Sequence, residues 1–131
     1  MKTEIMFFWH GIPPKSTFQQ RDKNFHPTPC ARLAMAQWQA ILEPHVPEKP
    51  LHGPLELSLI LTWPHTQKTC KGDFVAIPKT TRPDGVNILK GVEDIMTRLG
   101  YWDDDSLLSR ETVERWHGKY PGVCIWIRSI A

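Results

Sequence analysis

From Leu55 to Leu61 leucine takes every second position, in the segment LELSLILTW (55–63). A period of two puts all four leucines on one side of an extended chain, which predicts a strand with one buried face. The run TEIMFFW (3–9) is apolar and rich in β-prone residues, and predicts another buried strand. Near the C-terminus GVCIWIRS (122–129) alternates Val123, Ile125 and Ile127 with Cys124, Trp126 and Arg128. It follows ETVERWH (111–117) across GKYPG, so the two segments are expected to form a hairpin joined by a Gly/Pro turn. A short strand is also expected within FVAI (74–77).

The period changes to that of a helix in two places. In ARLAMAQWQAILE (31–43), Leu33, Trp38, Ile41 and Leu42 are spaced for a core-packing helix that Pro44 ends. In the stretch that opens TRPDGVNILKG, Pro83 disfavours helix at Arg82, so a helix is expected to begin near Asp84, a good N-cap. At about 100° per residue, Ile88, Leu89, Val92, Ile95, Met96 and Leu99 share one arc, and Asp84, Asn87, Lys90 and Asp94 share another. Gly100 stops this helix. Tyr101 and Trp102 then anchor the chain ahead of Asp103, Asp104 and Asp105.

These elements predict one α+β domain over 1–131, a mixed sheet covered on one face by two main helices. At 131 residues the chain is long enough to bury a core without disulfides or a structural metal. Its 40% hydrophobic and 23% charged residues exclude a disordered or membrane-spanning class. Glu4 interrupts the first apolar run and Pro13-Pro14 follow, a poor signal peptide, so an intracellular protein is expected. Cys30, Cys70 and Cys124 are isolated and odd in number, which argues against a disulfide framework or a zinc site.

The net charge of +2 is weak for a nucleic-acid binder, but its distribution is polar. Lys15, Arg21, Lys23, Lys49, Lys68, Lys71, Lys79 and Arg82 precede Asp84, whereas acids gather between Glu93 and Glu114. A basic track leading a polyanion to an acidic centre would have this layout, and so would solvated loops that simply collect lysines. The helix from Asp84 likewise has two readings. One is an amphipathic helix with a polar face and an acidic turn; the other is a site whose carboxylates are completed by neighbouring strands or a second subunit. Clustered carboxylates suit a divalent metal that neutralises a phosphodiester and activates water, with a lysine nearby to stabilise developing charge.

Arg82-Pro83-Asp84-Gly85-Val86-Asn87-Ile88-Leu89-Lys90, then Asp94, then Gly100-Tyr101-Trp102-Asp103-Asp104-Asp105, resembles the hallmark of the RusA family of Holliday junction resolvases. That hallmark reads roughly (K/R)-P-D-x-D-N-x-x-K, an Asp four residues on, and a G-(F/Y)-(W)-x-D-D turn. The likeness extends to the basic Pro-rich loop near the N-terminus and the final PGV strand, so it covers nearly the whole chain. It implies a homodimeric, Mg²⁺-dependent endonuclease, with Mn²⁺ as an alternative metal, that resolves four-way DNA junctions by paired nicks in recombination and repair. It further implies a cytoplasmic protein of a bacterial or phage-infected cell, without membrane or organic cofactor.

Carried over residue by residue, Asp84, Lys90 and Asp105 would be catalytic, and Asp84 and Asp105, with Asp104 beside them, would bind metal. Lys15, Arg21, Lys68, Lys71, Lys79 and Arg82 are the expected phosphate contacts. One position departs from the hallmark: Val86 stands where the family has its second aspartate. Either Asp104, Asp94 or Glu93 substitutes for it, or the protein grips junctions without cutting well, or Val86 is an acquired inactivating change. A PD-(D/E)-x-K reading fails, because after Asp84 no acid is followed two residues later by lysine.

Overall fold

A computed structural model describes residues 3–69 and 75–130. The elements run β1 (Glu4–His10), α1 (Pro29–Leu42), β2 (Leu55–Pro64), β3 (Ile77–Pro78), α2 (Gly85–Leu99), β4 (Leu108–Gly118) and β5 (Gly122–Ser129). Five strands form one mixed sheet in the order β1-β5-β2-β4-β3. β2 is parallel to β4 and antiparallel to β5, and β1 is antiparallel to β5. The α+β class and the sheet with two helices therefore agree with the reading of the sequence.

The expected hairpin of the last two strands does not form. β2 lies between β4 and β5, pairing Leu59 with Val113 on one side and with Ile125 on the other. Two strand spacings are about 10 Å, and the three residues Lys119–Pro121 with their flanking bonds reach about 13 Å when extended. The link is long enough to cross one strand end, and the apolar surface of β2 rewards it for doing so. The short strand is also displaced, to Ile77–Pro78 on the edge beside β4; Phe74 lies outside the described residues.

Leu55, Leu57, Leu59, Leu61 and Trp63 of β2 are buried on one face, as the period of two requires. With Phe7, Val123, Ile125 and Ile127 they meet Trp38, Ile41 and Leu42 of α1 and Ile88, Val92, Ile95 and Met96 of α2. Leu33 does not join them and stands exposed. At about 100° per residue it lies about 140° around the axis from Trp38, so its own spacing turns it away. Thr28 caps α1 by accepting the Ala31 amide at 3.2 Å, with Pro29 in the first turn.

On the opposite face Glu56 is buried beneath two arginines. Arg110 Nη1 lies 3.1 Å from Glu56 Oε2, and Arg128 Nε donates to Oε1. The Arg128 bond, the larger influence, and the Arg110 bond hold the Glu56 carboxyl below its ordinary 4.5 despite its burial.

The long loop after β1 is tied to α2 by a close approach. A Cβ added to Gly91 would stand 2.5 Å from Phe18 Cδ2, so the absence of a side chain there lets the buried Phe18 ring lie on the helix. In an exposed helix, glycine to alanine is worth about +1 kcal/mol. Here Gly91→Ala is expected to reverse that sign and destabilise by about 1–3 kcal/mol through overpacking, measured by urea unfolding.

Candidate active site on the crossover helix

Asp84 caps α2: its Oδ1 accepts the Val86 amide at 3.0 Å, and Gly100 ends the helix in the left-handed region. Helix Gly85–Leu99 is thus bounded by the residues that the sequence marks. The Arg82–Pro83 bond before it is cis. Arg115 of β4 holds this approach, donating to the carbonyls of Thr81 at 2.7 Å and Pro83 at 2.9 Å.

Phe18 on Gly91 and a 3.2 Å bond from Gln19 Nε2 to the Asn87 carbonyl bring the N-terminal loop beside the helix start. Lys15 and Arg82 thereby line an open cleft of ≈ 380 Å³ with Asp84 and Asn87. Lys79 borders the adjoining groove with Lys15, Arg82, His65 and His117. Its ammonium donates to Thr81 Oγ1 at 2.7 Å and lies 5.2 Å from the Trp63 ring centre. Burial first, and the charge of Arg115 second, lower the Lys79 pKa.

The other expected cations are placed differently. Arg21 turns back on its own loop, donating to the Phe18 and Gln20 carbonyls. Lys68 is exposed on the loop after β2, near Thr80 and Thr81. Lys71 lies outside the described residues. Lys90 is exposed on α2, one turn before Asp94.

The acidic turn occupies the far end of the same helix. Trp102 Nε1 donates to Thr97 Oγ1 at 2.8 Å, and the buried Tyr101 hydroxyl donates to the Leu42 carbonyl at 2.5 Å. Asp104 caps the short 3-10 turn Asp105–Leu107 through the Ser106 amide at 3.2 Å, a bond that lowers its pKa. Its neighbour Asp105 is pushed up, first by sharing a hydrogen bond with Asp104, then by burial and the charges of Asp104, Asp94 and Glu111. A rise of 1.5 Å per residue puts Asp84 about 15 Å from Asp94 along the axis. Within one protomer, then, Asp84 does not meet Asp104 and Asp105.

What does meet Asp105 is a pair of glutamates that the sequence reading left out or named only in passing. Glu93 of α2 is 8% exposed, and its Oε1 has no hydrogen-bond partner. Glu111, Asp105 and Asp94 all lie near enough to act on it. Burial chiefly, then a proton shared with Glu111, then the charges of Glu111, Asp105 and Asp94 push Glu93 up to about 8. The signal was present in the helical period: Glu93 falls 40° from Leu89, at the margin of the apolar arc, on the side that faces β4. Among the described residues no three His, Cys, Asp or Glu side chains already enclose a point fit for a metal ion. An orphaned buried carboxylate oxygen among three further acids is nonetheless a donor set suited to a hard cation. At the helix start, by contrast, Asp84 is the one acid lining the cleft among the described residues, and Val86 is 69% exposed with no side-chain oxygen to offer.

A sequence model of the endodeoxyribonuclease RusA family matches residues 12–128. The match spans both ends of α2 and four of the five strands, and the chain belongs to the RusA family. That family comprises Holliday junction resolvases, metal-dependent nucleases that bind branched DNA. No curated protein matches the chain. Among the described residues no helix is long and apolar enough to cross a membrane.

The two displaced glutamates give stability a predictable pH profile. Glu93 keeps its proton to about pH 8 in the fold but loses it near 4.5 when unfolded. The native chain therefore binds more protons across that interval, and stability falls as pH rises through it. Glu56, held low, acts in the opposite sense: its contribution is present above 4.5 and is lost as pH falls through its folded value. Without divalent metal, the curve of stability against pH from urea unfolding is expected to show the Glu93 contribution declining as pH rises from about 4.5 toward 8, and the Glu56 contribution declining as pH falls below 4.5. Glu93→Gln should flatten the alkaline side of that curve and leave the acid side in place.

Proposed function

We propose that the chain is a RusA-type endonuclease that grips four-way DNA junctions and nicks them in symmetric pairs, as a homodimer, during recombination and repair. The observation that carries this reading is the convergence of Lys15, Lys79 and Arg82 on the Asp84 end of α2. Cations in an open groove contact phosphates without reading sequence, as recognition of a junction by shape requires. Two symmetric nicks need two sites, and a two-fold dimer supplies them. Lys90, on the same helix, would stabilise charge developing on the phosphate. A divalent cation, Mg²⁺ or Mn²⁺, supplies neutralisation of the phosphate and activation of water when bound.

A second reading, junction binding with weak cutting, is favoured by one observation: Val86 holds an apolar side chain where the family places a carboxylate. Binding and nicking of a labelled four-way junction, with Mg²⁺ or Mn²⁺, separate the two. Metal-dependent nicking by the parent protein, faster in Val86→Asp, is the expected result. Nicking only by Val86→Asp, with equal binding, would establish the second reading, and failure to bind junctions would reject both. Lys15→Ala and Arg82→Ala should each weaken junction binding and lower the salt slope by about one.

A further inference from the structure

The acids at the C-terminal half of α2 have a geometry that the motif carboxylate Asp84 does not share. Glu93 projects from the helix flank toward β4, where odd-numbered residues face α2: Val113 and Arg115 lie against the backbone of Gly85, and Glu111 lies beside Glu93. Asp105 approaches from the 3-10 turn held by Trp102, and Asp94 and Asp105 line an open hollow with Thr97 and Arg98. Burying an ionised carboxylate without a partner is costly, and a buried charge persists when it is paired or coordinates metal. Arg98 lies on the rim, yet among the described residues Glu93 has no ion pair and its Oε1 accepts no hydrogen bond. Asp94, Asp105 and Glu111 are exposed; Glu111 shares a proton with Glu93 and Asp105 a hydrogen bond with Asp104, and a bound cation would take the place of those protons.

We propose that Glu93, Glu111 and Asp105 form a divalent-cation site of this chain, in which the buried Glu93 carboxylate supplies the hard oxygen that Val86 does not. The site takes a small oxygen-seeking ion of the Mg²⁺ or Mn²⁺ class, which retains several waters and needs only one or two carboxylates directly. Its service in DNA cutting rests on the nuclease reading above; its affinity for the ion does not.

The test is binding of Mn²⁺ to the intact protein by electron paramagnetic resonance, with melting temperature in Mg²⁺, Mn²⁺ or no metal, all without DNA. The parent should bind Mn²⁺ at a saturable site and melt higher with either metal. Glu93→Gln and Glu111→Gln should weaken Mn²⁺ binding by more than about tenfold, a loss that even an outer-shell change can produce. Asp103→Asn, which removes an exposed charge from the same turn, should leave binding within about twofold. Absence of saturable Mn²⁺ binding in the parent overturns the proposal. So does binding that survives Glu93→Gln, or that falls equally in Asp103→Asn, which would mark unspecific attraction to an acidic surface. Because no DNA is present, a protein that fails to nick junctions can still satisfy this test, and one without metal affinity can still bind junctions.

Discussion

The parallel pairing of β2 with β4 is the constraint from which the rest of the molecule follows. Antiparallel neighbours can be joined by a tight turn, but parallel ones require the chain to return along the sheet before the second strand begins. α2 makes that return. Its start must therefore lie near the end of β2 and its finish near the beginning of β4, which sends Asp84 and the Asp103–Asp105 turn to opposite ends of the sheet. β1 and β2 also run the same way, with β5 between them, and α1 provides their crossover. Both helices thus lie on one face, over the leucines of β2.

Asp84 at its start and Arg98 in its last turn suit the dipole of α2, but other charges around it run against that dipole. A helix start carries a partial positive charge and its end a partial negative one. Lys15 and Arg82 nonetheless gather at the start, while Asp94, Asp105 and the buried Glu93 gather at the end. On the proposed function, these charges would meet a partner of opposite sign, a polyanion at the start and a cation at the end. Glu56 shows the contrary case, because its two arginines are built into the fold and satisfy it internally.

Periodicity made the faces of the elements legible and left their neighbours hidden. The leucine repeat of β2, the arc of α2 and the caps Asp84 and Gly100 were all readable, because each depends on local geometry. The partner of β5 was not: GKYPG is a plausible turn, and nothing in it shows that β2 intervenes. Phe18 on Gly91, Glu93 against Glu111 and Glu56 between Arg110 and Arg128 join residues distant in sequence. The expected metal set of Asp84, Asp104 and Asp105 came from a motif written along the chain; the helix length between its parts was legible there, but not which neighbouring strand or subunit completes each end.

That helix is, in effect, a ruler. Asp84 and Asp94 are ten residues apart on a single rod whose rise is fixed at 1.5 Å per residue. The interval between the basic cleft and the acidic hollow is therefore set by a residue count and cannot be adjusted by side-chain motion. Removal of one residue from its middle would shorten it only slightly but would turn one end about 100° relative to the other. A change of chain length inside α2 would therefore disturb both surfaces at once, whereas one in a loop such as 11–28 would leave the count between them, an integer, as it is.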